Sequence, residues 1–354
     1  MPAAPVARFA VSLRFAASLP YQLCDFRSMT PSSSLTFIYT NSYDGWADLL
    51  VDRLGGDRVF RFNLDLWREY AVSIDPDGFR FANRTGRIVT ALHVAKFLWR
   101  RPRTNRQLFP EKDFPREQMY EDEEFAYAMR ELWNRMYYAG KAVLIDPCSD
   151  QLSGKLIQAR IAQRYFSVPA WKMVSGVTGS PGTPPAAVKS LTSQRVEART
   201  TLYTSRVAED ELAPSSPWFI QECIEADRDV TVVFIRGSLF AFEFRRDLLP
   251  RGVIDWRRAV ELEPALAAKW ARHELPDSME QGLRKFMQDM GLHYGRLDFL
   301  LAGDRYWFLE VNPNGEWGWL DPQGKAGILD RLAQELSPET PCHPLPNPRV
   351  ITVS

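Results

Sequence analysis

The stretch RLDFLLAGDRYWFLEVNPNGEWGWL, residues 296–320, decides the fold of this chain. Two apolar runs, LDFLL and YWFLEV, flank Gly303-Asp304, and this pattern predicts a β-hairpin with a tight turn. Asp298 lies at the start of the first predicted strand, whereas Glu310 and Asn312 close the second. Because residues two positions apart on a strand face the same side, Glu310 and Asn312 are expected to point together.

These three polar side chains lie among apolar residues, where an unpaired charge is costly. Two carboxylates and an amide oxygen form a hard, oxygen-only ligand set, which suits Mg²⁺ that bridges nucleotide phosphates. We therefore predict a magnesium site formed by Asp298, Glu310 and Asn312. The simpler alternative is an ordinary hairpin with charged ends, which the ordered combination ending in N-P-N-G disfavours.

Composition narrows the class of protein. The chain has 354 residues, of which 45% are hydrophobic, so it can bury a sizeable core in two or three domains. Lys and Arg (44) balance Asp and Glu (44), and this balance argues against binding to nucleic acid or to an anionic membrane. The four cysteines lack C-x-x-C spacing, which indicates a reducing, cytoplasmic setting. No apolar run approaches the ~18–20 residues of a membrane span.

Short apolar runs and amphipathic helices predict a mixed α/β and α+β fold. An N-terminal α/β domain is expected at 29–140, beginning with the strand LTFIYT and a helix that Asp44 caps. A central subdomain follows at 150–225, with a helix that Ser153 caps and strands around AVKSL, ARTTLYTSRV and WFIQECI. The C-terminal subdomain at 226–336 contains a hairpin around Arg236-Gly237, an amphipathic helix and the metal hairpin.

The two ends of the chain are expected to lie outside these domains. Residues 1–28 are rich in Ala and Arg and nearly free of acidic residues. They form either a targeting segment or, as we favour, an extension upstream of a true start at Met29. Residues 337–354 are rich in proline and predict a loose tail.

The motifs in this sequence resemble those of ATP-grasp ligases. D-F followed by F-L-E-V-N-P-N-G is similar to the metal-binding end of that family. The E-W-G-W tail, D-W-R at 255–257 and W-R-R-P at 99–102 are most similar to the subgroup that cross-links ribosomal peptides, the microviridin-type or graspetide ligases. The resemblance covers roughly residues 35–336. It implies an ATP-grasp fold, with an N-terminal α/β domain and two α+β subdomains that enclose ATP.

The resemblance also implies roles for individual residues. Lys155, which opens a helix, and Lys189, on a short apolar strand, match the two nucleotide lysines of the family. The segment FIQECIE matches the interdomain hinge, whose residues here are Gln221, Glu222, Cys223 and Ile224. The resemblance implies that adenine pairs with the backbone of this hinge. It also implies that Glu225 accepts hydrogen bonds from the ribose hydroxyls. The forked guanidinium group of arginine can donate hydrogen bonds to two oxygens of an acyl phosphate or an oxyanion. The catalytic candidates are therefore Arg257, Arg296 and Arg245, with Arg246 next to Arg245.

The sequence departs from the family pattern in two places. Thr231 stands where an arginine is usual after the hinge, and Arg228 and Arg236 are the candidates to compensate for it. No glycine-rich phosphate loop follows Lys189, as in many members of the peptide-ligase group.

The reaction implied is ATP-dependent activation of Asp or Glu side chains in a leader-bearing ribosomal precursor peptide, followed by an ester or amide cross-link, with ATP and Mg²⁺. No protein nucleophile is needed, because positioning and charge stabilisation provide the catalysis. Two alternatives stay open: a ligase that joins free amino acids or small peptides, and a kinase-like or non-catalytic nucleotide-binding protein. The sequence leaves open the precursor, the number and kind of cross-links, and the oligomeric state, for which a homodimer is one option.

Overall fold

The computed structural model describes residues 34–147, 153–176, 184–191, 203–342 and 345. The helices α1 to α7 span, in chain order, Gly45–Leu54, Asn105–Leu108, Arg116–Tyr138, Lys155–Ala162, Trp256–Leu262, Asp277–Asp289 and Ile328–Leu336. Short 3₁₀ turns lie at Gly56–Arg58, Leu64–Glu69, Glu209–Glu211, Arg246–Leu248 and Pro264–Lys269. Within the described residues, no helix is long and apolar enough to cross a membrane.

The N-terminal part contains a parallel sheet of three strands in the order β2-β1-β6. All six residues of the central strand β1 are buried, because the sheet is covered on both faces. The Asp44 carboxylate accepts a hydrogen bond from the Trp46 amide and caps α1, as the sequence predicts. The strands of this part are β1 (Leu35–Thr40), β2 (Val59–Asn63) and β6 (Val94–Trp99), with a separate antiparallel sheet of β3 (Ala71–Ile74), β4 (Phe79–Ala82) and β5 (Ile88–Thr90).

The next sheet is antiparallel, in the order β7-β10-β8-β9. Its strands are β7 (Trp171–Val174), β8 (Ala186–Lys189), β9 (Ser205–Val207) and β10 (Trp218–Gln221). The helix α4 precedes it, but the prediction that Ser153 caps this helix is wrong. Gly154 is the N-cap, with no side-chain capping hydrogen bond, and Gly154 and Lys155 both line the cavity described below.

The largest sheet has five antiparallel strands in the order β13-β12-β11-β14-β15. Its strands are β11 (Arg228–Ile235), β12 (Ser238–Arg245), β13 (Ala271–Arg272), β14 (Tyr294–Ala302) and β15 (Arg305–Asn312). The predicted turns at Arg236-Gly237 and Gly303-Asp304 are confirmed, with positive φ at both glycines. The metal hairpin begins earlier than predicted, at Tyr294, so Asp298 lies in the middle of a central strand.

Apolar clusters cover the five-stranded sheet on both sides. Helix α6 packs Leu283, Phe286 and Met287 against residues such as Val232 and Phe308, whereas α7 belongs to the cluster that includes the N-terminal sheet. The predicted loose tail is wrong where the structure describes it, because the Lys96 ammonium donates to Thr340 (3.0 Å) and Leu345 is buried. The division into domains at 29–140, 150–225 and 226–336 stays a prediction.

A β-bulge at Leu309 decides which way the metal hairpin points its side chains. Asp298 pairs with Glu310, but the next residue, Phe299, pairs with Phe308, so β15 carries one additional residue. Alternation along a regular strand would place Phe308 and Glu310 on the same face. The bulge instead lets Phe308 enter the apolar cluster under α6 while Glu310 faces the cavity with Asp298.

Candidate active site

A cavity of about 480 Å³ is lined by residues from the four-stranded and five-stranded sheets. Both predicted nucleotide lysines, all three predicted metal ligands and all four predicted hinge residues line it; these are Lys155, Lys189, Asp298, Glu310, Asn312, Gln221, Glu222, Cys223 and Ile224. Arg257 and Arg296 line it as well. Residues far apart in sequence therefore meet in one place, as the resemblance implies.

Of the three predicted metal ligands, Asn312 lies within hydrogen-bonding distance of both carboxylates. The Asn312 amide donates to Glu310 Oε1 (3.1 Å) and to Asp298 Oδ2 (3.4 Å). Asp298 is 7% exposed, and Thr231 on the neighbouring strand donates its hydroxyl to Asp298 Oδ1 (2.8 Å). Thr231, at the position where the resemblance implies an arginine, thus holds the side chain of a predicted metal ligand in place.

Three cationic side chains neutralise these carboxylates. Lys155 Nζ lies 3.1 Å from Glu310 Oε2, and Arg296 lies 3.0 Å from Asp298 Oδ2. Arg257 reaches both acids, at 3.2 Å from Asp298 and 3.4 Å from Glu310. Buried carboxylates remain ionised only with such partners, so the cluster holds its charges by mutual compensation.

Burial and neighbouring charge act in opposite directions on the pKa of Glu310. Burial would raise it, but the positive charges of Lys155, Arg257 and Lys189, with the Asn312 hydrogen bond, hold the pKa well below its usual range. Burial lowers the pKa of Lys189 to about 8, with Glu310 opposing that change and Lys155 and Arg257 adding to it. At neutral pH, Glu310 is therefore an anion and Lys189 a cation that loses its proton readily.

Helix α5 positions Arg257 through its N-cap. The Asp255 side chain accepts a hydrogen bond from the Arg257 amide (3.0 Å), and its other oxygen accepts from the Thr204 amide (3.1 Å). The D-W-R motif therefore begins a helix and aims its arginine across the cavity at the carboxylates. Despite burial, the neighbouring acids Asp298 and Asp255 raise the pKa of Arg257 above its ordinary value, so this side chain is always charged.

The side chain of Gln158 joins helix α4 to strand β15 through two hydrogen bonds. The side-chain Nε2 of Gln158 donates a hydrogen bond to the Val311 carbonyl (2.8 Å), and its Oε1 accepts one from the Val311 backbone amide (2.9 Å). Lys155 lies one turn earlier on the same helix, so this clamp sets its distance from Glu310. The sequence patterns did not single out Gln158, because its role depends on a strand 153 residues away.

The N-P-N-G segment needs its glycine for close packing. A Cβ atom on Gly315 would lie 2.6 Å from Arg296 Cβ, closer than carbon atoms approach in proteins, and 3.3 Å from Asn312 Cβ, which is also a tight contact. The W-R-R-P motif meets the same segment, since Arg100 donates to the Asn314 carbonyl (3.0 Å) and Arg101 to the Glu316 carboxylate (2.5 Å). The two motifs of the resemblance thus form one contact between the first sheet and the metal hairpin.

The structure places two of the predicted site residues outside the cavity lining. Arg245 follows the buried Phe244, so strand alternation turns it outward, where it pairs with Asp247 and is 67% exposed. Glu225 is 81% exposed, pairs with Arg206 and does not line the cavity. Neither residue is brought together with the other predicted site residues.

The candidates to compensate for the missing arginine also lie elsewhere. Arg228 pairs with Glu243 (2.8 Å), and Arg236 pairs with Glu335 (3.2 Å), in both cases outside the cavity lining. Arg246 does line the cavity and pairs with Asp229 (2.9 Å). Burial raises the pKa of Asp229 to about 6, against the lowering effect of Arg246. The sequence pointed to Arg246 only because it directly follows Arg245, and it did not show which way the Arg246 side chain points.

The residues present fit both Mg²⁺ and a nucleotide triphosphate. Within the described residues no group of three or more His, Cys, Asp or Glu could hold a metal, so a magnesium site here depends on the amide oxygen of Asn312 beside the two carboxylates. The cavity is also lined by Lys155, Lys189, Arg246 and Arg257. These four cationic side chains can donate hydrogen bonds to the phosphate oxygens of a nucleotide. Gln221 also lines the cavity, and its buried side-chain oxygen has no hydrogen-bond partner in the described part of the chain.

Comparison with solved structures identifies the fold. A RiPP-associated ATP-grasp ligase of Chryseobacterium gregarium, solved with ADP and with a leader and core peptide, matches with a TM-score of 0.71 at 19% identity over 87% of this chain and 98% of that one. The macrocyclase MdnC of Microcystis aeruginosa, bound to its precursor peptide MdnA, matches at 0.70 and 20% identity over 85% and 99%. MdnB from the same organism matches at 0.64 and 22% identity over 86% and 99%.

No protein-family model matches this chain, and no curated protein matches it at a significant level. The similarity therefore lies in the three-dimensional arrangement, over nearly the full length of each of those structures. The fold class predicted from the hairpin motifs is confirmed. The chain has the ATP-grasp fold, in the form shared by the RiPP-associated ligase and the macrocyclases.

Proposed function

We propose that this chain is an ATP-dependent ligase that activates Asp or Glu side chains of a ribosomal precursor peptide and cross-links them within that peptide. One observation carries the proposal: Asp298, Glu310 and Asn312 converge with the cations Lys155 and Arg257 in a single cavity. The structures that share this fold include one solved with a leader and core peptide and one solved with a precursor peptide, which supports a peptide as substrate.

ATP would lie between the two sheets, with its base at the hinge and its phosphates at the lysines. The Glu222 amide already donates to the Ala170 carbonyl (2.8 Å), so the carbonyl of Glu222 and the amide of Ile224 are the groups left to pair with adenine. Asp298, Glu310 and Asn312 would hold Mg²⁺, whose charge stabilises the transferring phosphoryl group.

The first step is phosphoryl transfer to the substrate. A carboxylate oxygen of the peptide attacks the γ-phosphorus, the bond from this phosphorus to the β-phosphate oxygen breaks, and ADP leaves. Lys155, Lys189 and Arg257 orient the phosphates and offset the charge that develops on them.

The second step is acyl transfer. A Ser or Thr hydroxyl, or a Lys amine, of the same peptide attacks the acyl carbon, and the bond from this carbon to the phosphate oxygen breaks. Inorganic phosphate leaves, and the proton of the nucleophile leaves with the phosphate or to solvent. The product is an intramolecular ester or amide, and the peptide has lost one water for each cross-link.

The direct test is incubation of the purified enzyme with ATP, Mg²⁺ and the small peptides encoded beside its gene. We expect ADP release and a loss of the mass of one water per cross-link, both measurable by mass spectrometry. A chain that releases ADP with a free amino acid alone, or that leaves a stable phosphoester, would instead belong to one of the two alternative classes. A homodimer and a cytoplasmic location stay predictions from the sequence.

The low pKa of Lys189 predicts a pH dependence of ATP use. Below pH about 8 the side chain is charged and attracts phosphate, and above that value it is neutral, so kcat/KM for ATP is expected to fall as the pH rises through about 8. Lys189→Arg keeps its charge throughout this range and should remove the fall. Lys172→Arg, at a lysine paired with Glu209 outside the cavity, is the matched control. The same fall in Lys189→Arg would assign the titration to another group.

A further inference from the structure

Arg100 directly follows β6 of the first sheet, and its side chain is completely buried. Its Cζ atom lies 4.4 Å from the centre of the Trp46 ring, and its backbone amide donates to the Tyr39 carbonyl (2.8 Å). Bulk water cannot hydrate a charge in this position, and the loss of hydration is costly. The polar groups closest to this guanidinium lie in the segment that follows the metal hairpin.

These closest partners belong to Asn314 and Glu316. Arg100 Nη1 donates to the backbone carbonyl (3.0 Å) and to the side-chain oxygen (2.7 Å) of Asn314, and Nη2 lies 2.8 Å from Glu316 Oε1. Neither Arg100 nor Asn314 lines the cavity. Any effect of Arg100 on a metal ion in the cavity must therefore pass through other residues.

One such residue is Asn312, a predicted metal ligand. Strand β15 ends at Asn312, so the strand pairing that positions Asp298 and Glu310 does not continue beyond it. The turn that follows is closed by a hydrogen bond from the Gly315 amide to the Asn312 carbonyl (3.0 Å). Asn314 lies inside this turn. The two hydrogen bonds from Arg100 therefore fix the turn and, with it, the backbone that carries the Asn312 side chain.

The other residue is Arg296, which lies 3.0 Å from Asp298 Oδ2. Arg296 Nη1 donates to the backbone carbonyl of Glu316 (3.1 Å), while Arg100 and Arg101 pair with the carboxylate of the same residue. Glu316 thus connects Arg100 to a cation that pairs with a predicted metal ligand. Residues that hold the ligands of a metal, rather than the metal itself, commonly change its affinity when they are replaced.

We propose that Arg100 is a positioning residue for the magnesium site, which holds Asn312 and Arg296 in the arrangement that binds Mg²⁺ together with a nucleotide. The inference rests on the proposed function, because that function places Mg²⁺ at Asp298, Glu310 and Asn312. The metal hairpin then does not set the geometry of the site alone, since a charge buried against the first sheet takes part. Such a role accounts for a charged side chain at a buried position where an apolar one would avoid the cost of dehydration.

The test is calorimetric binding of ADP with Mg²⁺ and in EDTA, without any peptide. The ratio of the two affinities measures what Mg²⁺ adds. In Arg100→Met, which keeps the length of the side chain but removes its charge, this ratio is expected to fall about 10-fold, while ADP affinity in EDTA stays within about twofold of wild type.

Asn314 provides a second pair of variants, which decides the question if Arg100→Met does not fold. Asn314→Ala removes only the side-chain acceptor at 2.7 Å, so the ratio should fall less, by about 3-fold. Asn314→Asp keeps an acceptor of the same shape for Arg100 and should not lower the ratio. A residue that merely supported the fold would instead lower ADP affinity equally with Mg²⁺ and in EDTA.

Arg135→Met is the matched control, at an arginine that holds a different turn. Arg135 donates to the carbonyls of Asp75 (2.7 Å) and Pro76 (2.8 Å) and lies outside the cavity lining. Its melting temperature should fall, but its ratio should equal that of wild type. A folded Asn314→Ala protein with the wild-type ratio, or with equal losses under both conditions, would overturn the inference and leave the ligase proposal intact. Wild type that gains no ADP affinity from Mg²⁺ would overturn the inference together with the magnesium site of the ligase proposal.

Discussion

Glu310→Gln is expected to lower ATP-dependent turnover by about 1000-fold or more, the range seen when a main electrostatic contact to a transition state is lost. The change removes the negative charge that the magnesium site requires, while its shape is kept. It also leaves Lys155 and Arg257 without one of their anionic partners, at 3.1 and 3.4 Å. Nucleotide binding in the absence of Mg²⁺ should persist, because phosphates can then take both cations.

This prediction separates a metal ligand from a residue that only supports the fold. Turnover is measured as ADP release, and binding as ADP affinity with and without Mg²⁺. The variant should lose the increase in ADP affinity that Mg²⁺ provides and keep its affinity in EDTA. Glu261→Gln, on the exposed face of α5 where Glu261 pairs with Arg258, is the control and should behave as wild type. Near-normal turnover of a folded Glu310→Gln protein would remove the metal site from the proposal.

Arg257→Ala is expected to lower turnover by roughly 100- to 1000-fold, because this guanidinium pairs with two carboxylates and, in the proposed function, would also face the phosphates. The loss should appear mainly in kcat, since charge on the transferring phosphoryl group is greatest in the transition state. Steady-state kinetics with varied ATP concentration separate kcat from KM.

Arg245→Ala provides the matched control for this arginine. The sequence placed both arginines in the site, but only Arg257 lines the cavity, whereas Arg245 is exposed and paired with Asp247. The control is therefore expected to keep turnover within about twofold of wild type, as is usual for an exposed ion pair. Equal losses in the two variants would show that the cavity as described does not contain the reacting groups.

Local sequence patterns were sufficient for much of the site. Strand periodicity and the Gly303-Asp304 turn predicted the hairpin, and the chemistry of Asp298, Glu310 and Asn312 predicted an oxygen-only site. The lysines Lys155 and Lys189 were found because they matched positions of a known family, and both line the cavity. In each case the relevant information lies within a few residues of the side chain in question.

The sequence could not show the positions of residues whose surroundings come from distant parts of the chain. Arg245 and Arg246 are adjacent in sequence, and only the course of β12 and the turn after it decides that one faces solvent and the other the cavity. Gln158 matters because it clamps Val311, and Gly315 because Arg296 and Asn312 pack against it. None of these contacts is local, so no spacing in the sequence could reveal them.

The sequence alone determined the hairpin, the kind of metal that its donors suit and the family that its motifs resemble, because side-chain chemistry and strand alternation act over short distances. Only the tertiary structure decided the bulge at Leu309, which points Glu310 into the cavity and Phe308 into the core. It also decided that Thr231 holds Asp298 and that the Gln221 oxygen finds no partner among the described residues. These features follow from how separate strands pair and pack, and the free energy of such contacts depends on residues that are neighbours only in the folded chain.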